Sequence, residues 1–370
     1  MTAAGRRVVV AMSGGVDSSV AAALLRRGGW QVIGVFMRLG TPPGIAGAAE
    51  AHDACSPRRG CCSARDAADA RRVAEALDIP LYVLNFEDEF SRIIDRFAEE
   101  YNRGRTPNPC ILCNNWLKFG RLAAYARAAG ADCIATGHYA RIGRDPDTDR
   151  PLLMRAADAR KDQSYVLFGL PVNLLGQLIL PVGDLTKDRV RAIALELSLP
   201  VHDKPDSQEI CFVPDGDYAA LLERRRPGTL RPGEIVDTAG RVIGTHQGHQ
   251  RFTIGQRKGL RLAMGRPMYV VGIDAERNRV VLGERRDLLR THLAADGANW
   301  LTGPAPAAGA TFRCHARIRY NHTPAPAVAR ITGEQTFEVV FDEPQSAVTP
   351  GQAVVLYDGD VVLGGGWICR

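Results

Sequence analysis

The stretch Val8-Val9-Val10-Ala11-Met12-Ser13-Gly14-Gly15-Val16-Asp17-Ser18-Ser19, continued by Val20-Ala21-Ala22-Ala23-Leu24-Leu25, decides the fold. An apolar run, a glycine turn and an alanine-rich helix start follow one another directly. That order describes a buried strand feeding a helix, with backbone N–H groups and hydroxyls gathered at the helix N-terminus, where the helix dipole favours anions. Gly14 and Gly15 permit positive φ or a close approach of the backbone to a phosphate. Ser13, Ser18 and Ser19 offer hydroxyl donors to phosphate oxygens, and Asp17 is either an anchor behind them or a magnesium contact. An ordinary helix start needs one capping Ser or Asp, and two glycines with three serines inside 13–19 exceed that need. No Gly-Lys-Ser/Thr follows, so this is not a Walker loop.

Working outward, the helix of 17–27 stops at Gly28-Gly29, a C-cap signal. A strand over Gln31–Phe36 comes next, then a long Gly/Pro/Cys-bearing loop over 40–62. Ser63-Ala64-Arg65-Asp66 reads as a capping box opening a helix through Leu77. Leu81–Leu84 reads as a strand, Glu87–Tyr101 as an amphipathic helix, Thr106–Cys113 as a loop with two prolines, Trp116–Ala129 as a helix and Cys133–Thr136 as a strand. Short strands alternating with helices predict an α/β, doubly wound parallel sheet that binds ligands at the carboxyl ends of its strands. The 13–19 loop and Thr136-Gly137-His138 both fall at such ends. Character changes near residue 215. From Arg231 onward come short β-like runs, among them 233–240, 268–273 and 278–283. After a Pro/Ala/Gly-rich connector at 303–310, further runs lie at Ala316–Tyr320, Phe337–Phe341, Ala353–Leu356 and Val361–Leu363. The expected organisation is a catalytic domain over 1–214, a small β-rich adaptor over 215–286 and a β-barrel over 287–370.

A chain of 370 residues suits two or three domains, and a net charge of +6 permits a nucleic-acid partner without requiring one. No signal peptide precedes the first strand and no apolar run reaches the ~20 residues of a membrane span, so a cytoplasmic protein with no membrane partner is expected. Arginine carries almost all the positive charge. The five lysines, Lys118, Lys161, Lys187, Lys204 and Lys258, stand out as places where a compact ammonium is preferred to a planar fork.

Nine cysteines in such a chain do not suggest a disulfide framework. Cys110 and Cys113 form Cys-x-x-Cys, and Cys113 directly precedes the predicted helix of Lys118, a position that lowers a thiol pKa. Cys211 follows Lys204. Cys133, Cys314 and Cys369 read as structural. Cys55, Cys61 and Cys62 could join Cys110 and Cys113 in a zinc site, although the spacing fits no standard ribbon and no metal ligand is assigned. Cys110, Cys113 and Cys211 could instead hold an iron–sulfur cluster with one open iron.

The 13–19 loop resembles that of N-type ATP pyrophosphatases, which activate a carbonyl as an adenylate. The chain as a whole resembles the tRNA-specific 2-thiouridylase family. The resemblance rests on 12–19, Gly104-Arg105-Thr106-Pro107-Asn108-Pro109, Leu112-Cys113-Asn114, 135–141 and 161–165. It continues through 204–212, 252–260, Arg319-Tyr320, 347–352 and 363–366. It implies ATP contacts at Ala11, Met12, Ser13, Gly14, Gly15, Val16, Asp17, Ser18, Met37 and Gly137, with Mg2+ alongside. It implies that Asn108, Pro109 and Cys110 lie against the target base, that Cys113 is the nucleophile, and that Cys211 carries a persulfide. Lys161, Asp162, Gln163, Arg319 and Tyr320 would contact tRNA. The implied reaction places sulfur at C2 of the wobble uridine in tRNAs for Lys, Glu and Gln, with sulfur from a cysteine desulfurase or a sulfur-relay protein. Many relatives carry Asp, a proposed acid/base group, where this chain has Cys110. Three other readings remain at this point: the same reaction run by a [4Fe-4S] cluster, an ATP-pyrophosphatase synthetase acting on a small molecule, and a non-catalytic RNA-binding or redox-sensing protein that uses ATP only structurally.

Overall fold

Residues 5–40, 64–206, 210–213, 216–260, 262 and 265–369 are described by the structure, a computed structural model. The first half runs β1 (Arg7–Ala11), α1 (Val16–Arg27), β2 (Gln31–Arg38), α2 (Ala64–Ala76), β3 (Leu81–Asn85), α3 (Glu87–Asn102) and then one continuous helical segment. That segment comprises α4 (Pro109–Leu112), a π-helical stretch (Cys113–Arg121) and α5 (Leu122–Ala128). It leads to β4 (Cys133–Thr136), the hairpin β5 (Ala140–Arg144) and β6 (Pro151–Arg155), β7 (Leu178–Ile179) and α6 (Lys187–Glu196).

The parallel sheet has the order β3-β2-β1-β4-β7. Val8, Val9 and Val10 of the central strand are fully buried. Side chains alternate across a strand. Val9 and Ala11 accordingly meet Phe119, Leu122 and Ala126 on one face. Val8, Val10 and Met12 meet Ala22, Leu25, Ala70 and Val73 on the other. A strand covered on both faces needs an unbroken apolar sequence, which 8–12 supplies. The Ser63 capping box and the 41–62 part of the expected loop lie outside the described residues.

One expectation is corrected here. Thr106–Cys113 is not all loop, because Pro109 opens a helix. Asn108 is its N-cap, its Oδ1 accepting the Cys110 N–H at 3.2 Å, and the fixed φ of proline suits the first helical position. Cys113 therefore sits one turn inside the helical segment, and the helix-end position belongs to Cys110.

After α7 (Tyr218–Arg225), β8 (Gly233–Asp237), β9 (Val242–His246), β10 (Tyr269–Asp274) and β11 (Arg279–Gly283) form a sheet of order β10-β11-β8-β9. Then β12 (Leu289–Trp300), β13 (Thr311–Arg317), β14 (Ala325–Gly333), β15 (Thr336–Ser346), β16 (Ala353–Asp358) and β17 (Val361–Ile368) form a barrel, closed by pairing of β17 with β12. Leu293, Ala327, Phe337, Val339, Val354 and Leu356 fill its interior. The expected strand over Ala316–Tyr320 ends at Arg317, which frees Arg319 and Tyr320 from the sheet. β17 also pairs with β6, Val361 opposite Met154, so the hairpin of the first half extends the barrel sheet. Among the described residues no helix is long and apolar enough to cross a membrane.

Candidate active site

The 13–19 loop lies between β1 and α1. Gly15 is the N-cap of α1 and no side chain caps the helix, which leaves the first-turn N–H groups to other acceptors. Gly14 has φ +72°, and a Cβ there would strike the backbone carbonyl of Asp66. A Cβ on Gly137 would lie 2.5 Å from Ser18 N and 2.6 Å from the carbonyl carbon of Asp17. The loop is thus pressed from two sides by backbone, at positions only glycine can fill. Its three serines divide. Ser13 is exposed, and its N–H donates to Ser18 Oγ at 3.2 Å. Ser18 and Ser19 are buried and their hydroxyls donate to the Gly15 carbonyl, at 3.2 and 2.8 Å. Ser19 therefore braces the turn. The uncapped helix start beside a glycine cradle fits a polyphosphate. Among the described residues no three His, Cys, Asp or Glu side chains converge as metal ligands. A magnesium ion would therefore be held largely by phosphates and water, as is usual for that ion.

Four of the five lysines build a charged frame around this loop. Lys187 is buried and donates to Asp17 Oδ1 at 2.6 Å, an atom that also accepts from Tyr139 Oη at 2.8 Å. Of the two roles open to Asp17, the geometry provides the anchor. Lys187 also reaches Asp206 at 2.8 Å, and Asp206 takes Lys161 at 2.8 Å and Arg191 at 2.9 Å. Burial alone would raise the Asp206 carboxyl, but the bonds from Lys161 and Lys187 outweigh it and hold the pKa at about 2. Burial, reinforced by the Asp17 charge, pushes the Tyr139 phenol up, so it stays a donor. Lys204 donates to the Gly14 carbonyl at 2.9 Å, Asp66 at 2.6 Å and Asp69 at 2.5 Å. Lys118 approaches His138 Nε2 at 3.3 Å, while His138 Nδ1 lies 2.7 Å from Thr136 Oγ1. Burial, and then the Lys118 charge, drive the His138 pKa well below the ordinary value. An ammonium can only donate, so Nε2 accepts and the proton sits on Nδ1. Their scarcity among so many arginines marked these lysines in the sequence, Lys161 and Lys204 also by the segments they stand in; of the carboxylates they meet, Asp17 was singled out by its place in the loop, and Asp69 carried no signal.

Met37, Cys113 and Cys211, which are distant in sequence, all pack against one apolar cluster containing Phe90, Phe97, Leu117 and Phe212. Both cysteines are partly exposed, and Cys110 is exposed in the first turn of α4. Cys110, Cys113 and Cys211 do not form a convergent metal-ligand set among the described residues, so the cluster reading lacks a ligand cage. Cys55, Cys61 and Cys62, and the zinc reading that used them, lie outside those residues. Cys133 and Cys314 are buried as expected, whereas Cys369 is exposed, its thiol on the Ala294 carbonyl at 3.2 Å.

The residues expected at an RNA surface separate. Asp162 is 2% exposed. Its carboxylate accepts from Ala156 N (3.0 Å), Ser164 N (3.2 Å), Ser164 Oγ (3.0 Å) and Arg317 (2.7 Å). It faces inward, and its carboxylate forms a buried tie to the barrel. Gln163 Oε1 accepts the Tyr139 N–H at 2.8 Å, and the Lys161 ammonium lies on Asp206. Arg319 donates to the Ser346 carbonyl at 3.0 Å, and Tyr320 is 36% exposed. The Arg317 guanidinium lies 5.5 Å from the Tyr165 ring and 5.6 Å from the Tyr320 ring. The Asp162–Arg317 pair thereby places 161–163 beside 319–320. Asn108 and Pro109 stand at the mouth of α4.

Residues 6–215 match the family described as tRNA methyl transferase HUP domain, 220–284 the tRNA methyl transferase PRC-barrel domain, and 290–368 the aminomethyltransferase beta-barrel domain. The chain is 50% identical over 365 residues to the tRNA-specific 2-thiouridylase MnmA of Carboxydothermus hydrogenoformans, covering 98% of this chain and 97% of that one. It is also 50% identical over 372 residues to the protein of that name from Symbiobacterium thermophilum, covering 99% and 92%. Among solved structures, a 4-thiouridine synthetase–RNA complex with bound ATP overlaps weakly, with TM-score 0.33 and 13% identity over 60% of this chain and 52% of that one. Matched along nearly its whole length at half identity, the chain belongs to the tRNA-specific 2-thiouridylase family.

Proposed function

We propose that the protein is a sulfurtransferase that replaces the C2 oxygen of the wobble uridine in tRNAs for Lys, Glu and Gln with sulfur, consuming ATP. The observation that carries this reading is the packing of Met37, Cys113 and Cys211 against one apolar cluster, in a fold that also presents an uncapped glycine loop. The uridine C2 carbonyl is a poor electrophile and its oxygen a poor leaving group. ATP, a substrate here, takes that oxygen onto its α-phosphorus with loss of pyrophosphate, and the oxygen then leaves with AMP. The loop amides and the α1 N-terminus hold the phosphates, with magnesium offsetting their charge. Asn108, Pro109 and Cys110 hold the base, which must leave the anticodon stack to reach them. The family descriptions that mention methyl transfer name a different transferred group; the phosphate loop and the two cysteines suit sulfur.

Sulfur arrives as a Cys211 persulfide loaded by a cysteine desulfurase or relay protein. The Cys113 thiolate attacks the Cys211 sulfur of that persulfide. A Cys113–Cys211 disulfide forms, the S–S bond of the persulfide breaks, and hydrosulfide leaves with the electron pair. Hydrosulfide adds at C2, loses its proton to the site and expels AMP. A dithiol reductant returns the disulfide to two thiols by exchange.

The test incubates purified protein with ATP, magnesium, unmodified tRNA and a sulfur source under anaerobic conditions, with iron assayed, and reads the nucleosides by mass spectrometry. Wild type should yield 2-thiouridine without iron, and Cys211→Ser should yield none. Activity that tracks iron would overturn the persulfide route, and AMP formation without a thiolated base would overturn the function.

A further inference from the structure

The segment leading to Cys211 is fastened to the phosphate loop at two separate points. Lys204 donates to the Gly14 carbonyl (2.9 Å), Asp66 (2.6 Å) and Asp69 (2.5 Å). An ammonium has three N–H donors, and here three acceptors meet them. An arginine fork, planar and longer, could not serve the same three, which accounts for a lysine at 204 in a chain that otherwise uses arginine. Neutralising acids does not explain the whole arrangement. Asp69 already has Arg72 at 2.5 Å, and one Lys204 bond goes to a neutral main-chain carbonyl inside the nucleotide loop. Two residues on, Asp206 accepts from Lys187 (2.8 Å), which holds Asp17 in the first turn of α1 at 2.6 Å. Pro205 stands between the two tethers with its φ fixed by the ring, so the pair acts as one stiff strut. Cys211, a few residues further along, packs on the cluster that also takes Cys113.

We propose that Lys204 and Asp206 are positioning residues that brace the Cys211 segment against the phosphate loop, fixing where Cys211 sulfur meets Cys113 and the activated base. This rests on the reading of Cys211 as the sulfur carrier. The groups that meet both residues here are protein groups: the Gly14 carbonyl, Asp66 and Asp69 at Lys204, and Lys161, Lys187 and Arg191 at Asp206. Their loss should impair sulfur transfer more than activation of the base, because a misplacement near 1 Å costs about 10²-fold in rate.

The experiment compares wild type with Lys204→Met, Asp206→Asn and the triple variant Lys204→Met/Asp66→Asn/Asp69→Asn, in which no uncompensated acid remains to disturb folding. Folding is checked by circular dichroism melting. Three quantities are read: tRNA-dependent pyrophosphate release without a sulfur source, 2-thiouridine formation with one, and the rate at which diamide links Cys113 to Cys211 without any nucleotide. The expected result in all three variants is thiolation down about 10²-fold beyond any fall in pyrophosphate release, and slower disulfide formation. Recovery of thiolation in the triple variant would reduce Lys204 to charge balance and overturn the proposal. Disulfide formation at the wild-type rate in Lys204→Met and Asp206→Asn would overturn it as well. Wild type that makes no 2-thiouridine would sink the functional reading instead, while the nucleotide-free disulfide rates still report on the brace.

Discussion

Gly137 shows how a single residue shapes the nucleotide loop. It follows β4, and a side chain on it would collide with Ser18 N and the Asp17 carbonyl carbon, 2.5 and 2.6 Å away, both of them backbone. Nothing flexible can yield, so the start of α1 must move. Gly137→Ala should cost about 1–3 kcal/mol of stability, the usual range for overpacking, and should weaken ATP binding through the displaced first-turn amides. Calorimetric titration with ATP and a denaturant melt check both effects, and ATP affinity equal to wild type would mean those amides do not hold the phosphates. The glycine pattern around 13–19 was legible because chemistry and backbone geometry ask for the same residues there. The pairings of Asp66, Asp69 and Asp206 were not, since an Asp that meets a lysine from another stretch of the chain looks like any other Asp. The scarcity of lysine pointed to one member of each pair only.

At the scale of elements, the helical segment that carries Cys110 and Cys113 hid behind its prolines. Pro107 and Pro109 read as loop, yet proline at a first helical position is favourable, and Asn108 before it is a capping residue. The π-helical stretch that follows (Cys113–Arg121) has no sequence signature either; such stretches gather at functional sites. β12 was missed because its 289–300 sequence is rich in Ala, Asp, Gly and Asn, poor strand formers; pairing on both sides with β15 and β17 supplies what propensity lacks. Asn108 has two separable duties. Its Oδ1 caps α4, and its amide is proposed to meet the base. Asn108→Ala should lose about 1 kcal/mol, the worth of a cap, together with thiolation. Asn108→Asp keeps an acceptor for the Cys110 N–H and should melt close to wild type, but it has no amide donor and should still thiolate poorly. Melting curves set beside nucleoside analysis separate the two duties. Full activity in Asn108→Asp would restrict the residue to capping.

Across the whole molecule, the alternation of strand and helix up to about residue 215 and the β-rich remainder were legible from periodicity, because each half obeys one local pattern. Their union was not. The β6–β17 pairing and the Asp162–Arg317 pair join residues some two hundred and one hundred and fifty-five positions apart, and no local pattern records such contacts. That union decides whether the proposed RNA surface is one patch or two. Side-chain exposure is 1% at Asp162 and 9% at Arg317, so removing one partner leaves a charge buried without its counterpart, at a cost of about 3–5 kcal/mol. Arg317→Met should therefore destabilise the chain by that order and weaken tRNA binding, since 319–320 would no longer be held beside 161–163, while ATP binding at the 13–19 loop should persist. Asp162→Asn should weaken tRNA binding in the same way, and the double variant should bind no worse than Arg317→Met alone, because residues that act through one contact are not additive. Filter binding of tRNA across a salt series, run beside chemical denaturation, makes the comparison. If Asp162→Asn weakens tRNA binding further in the Arg317→Met background, the carboxylate meets RNA directly and the joint between barrel and catalytic sheet is not what it serves.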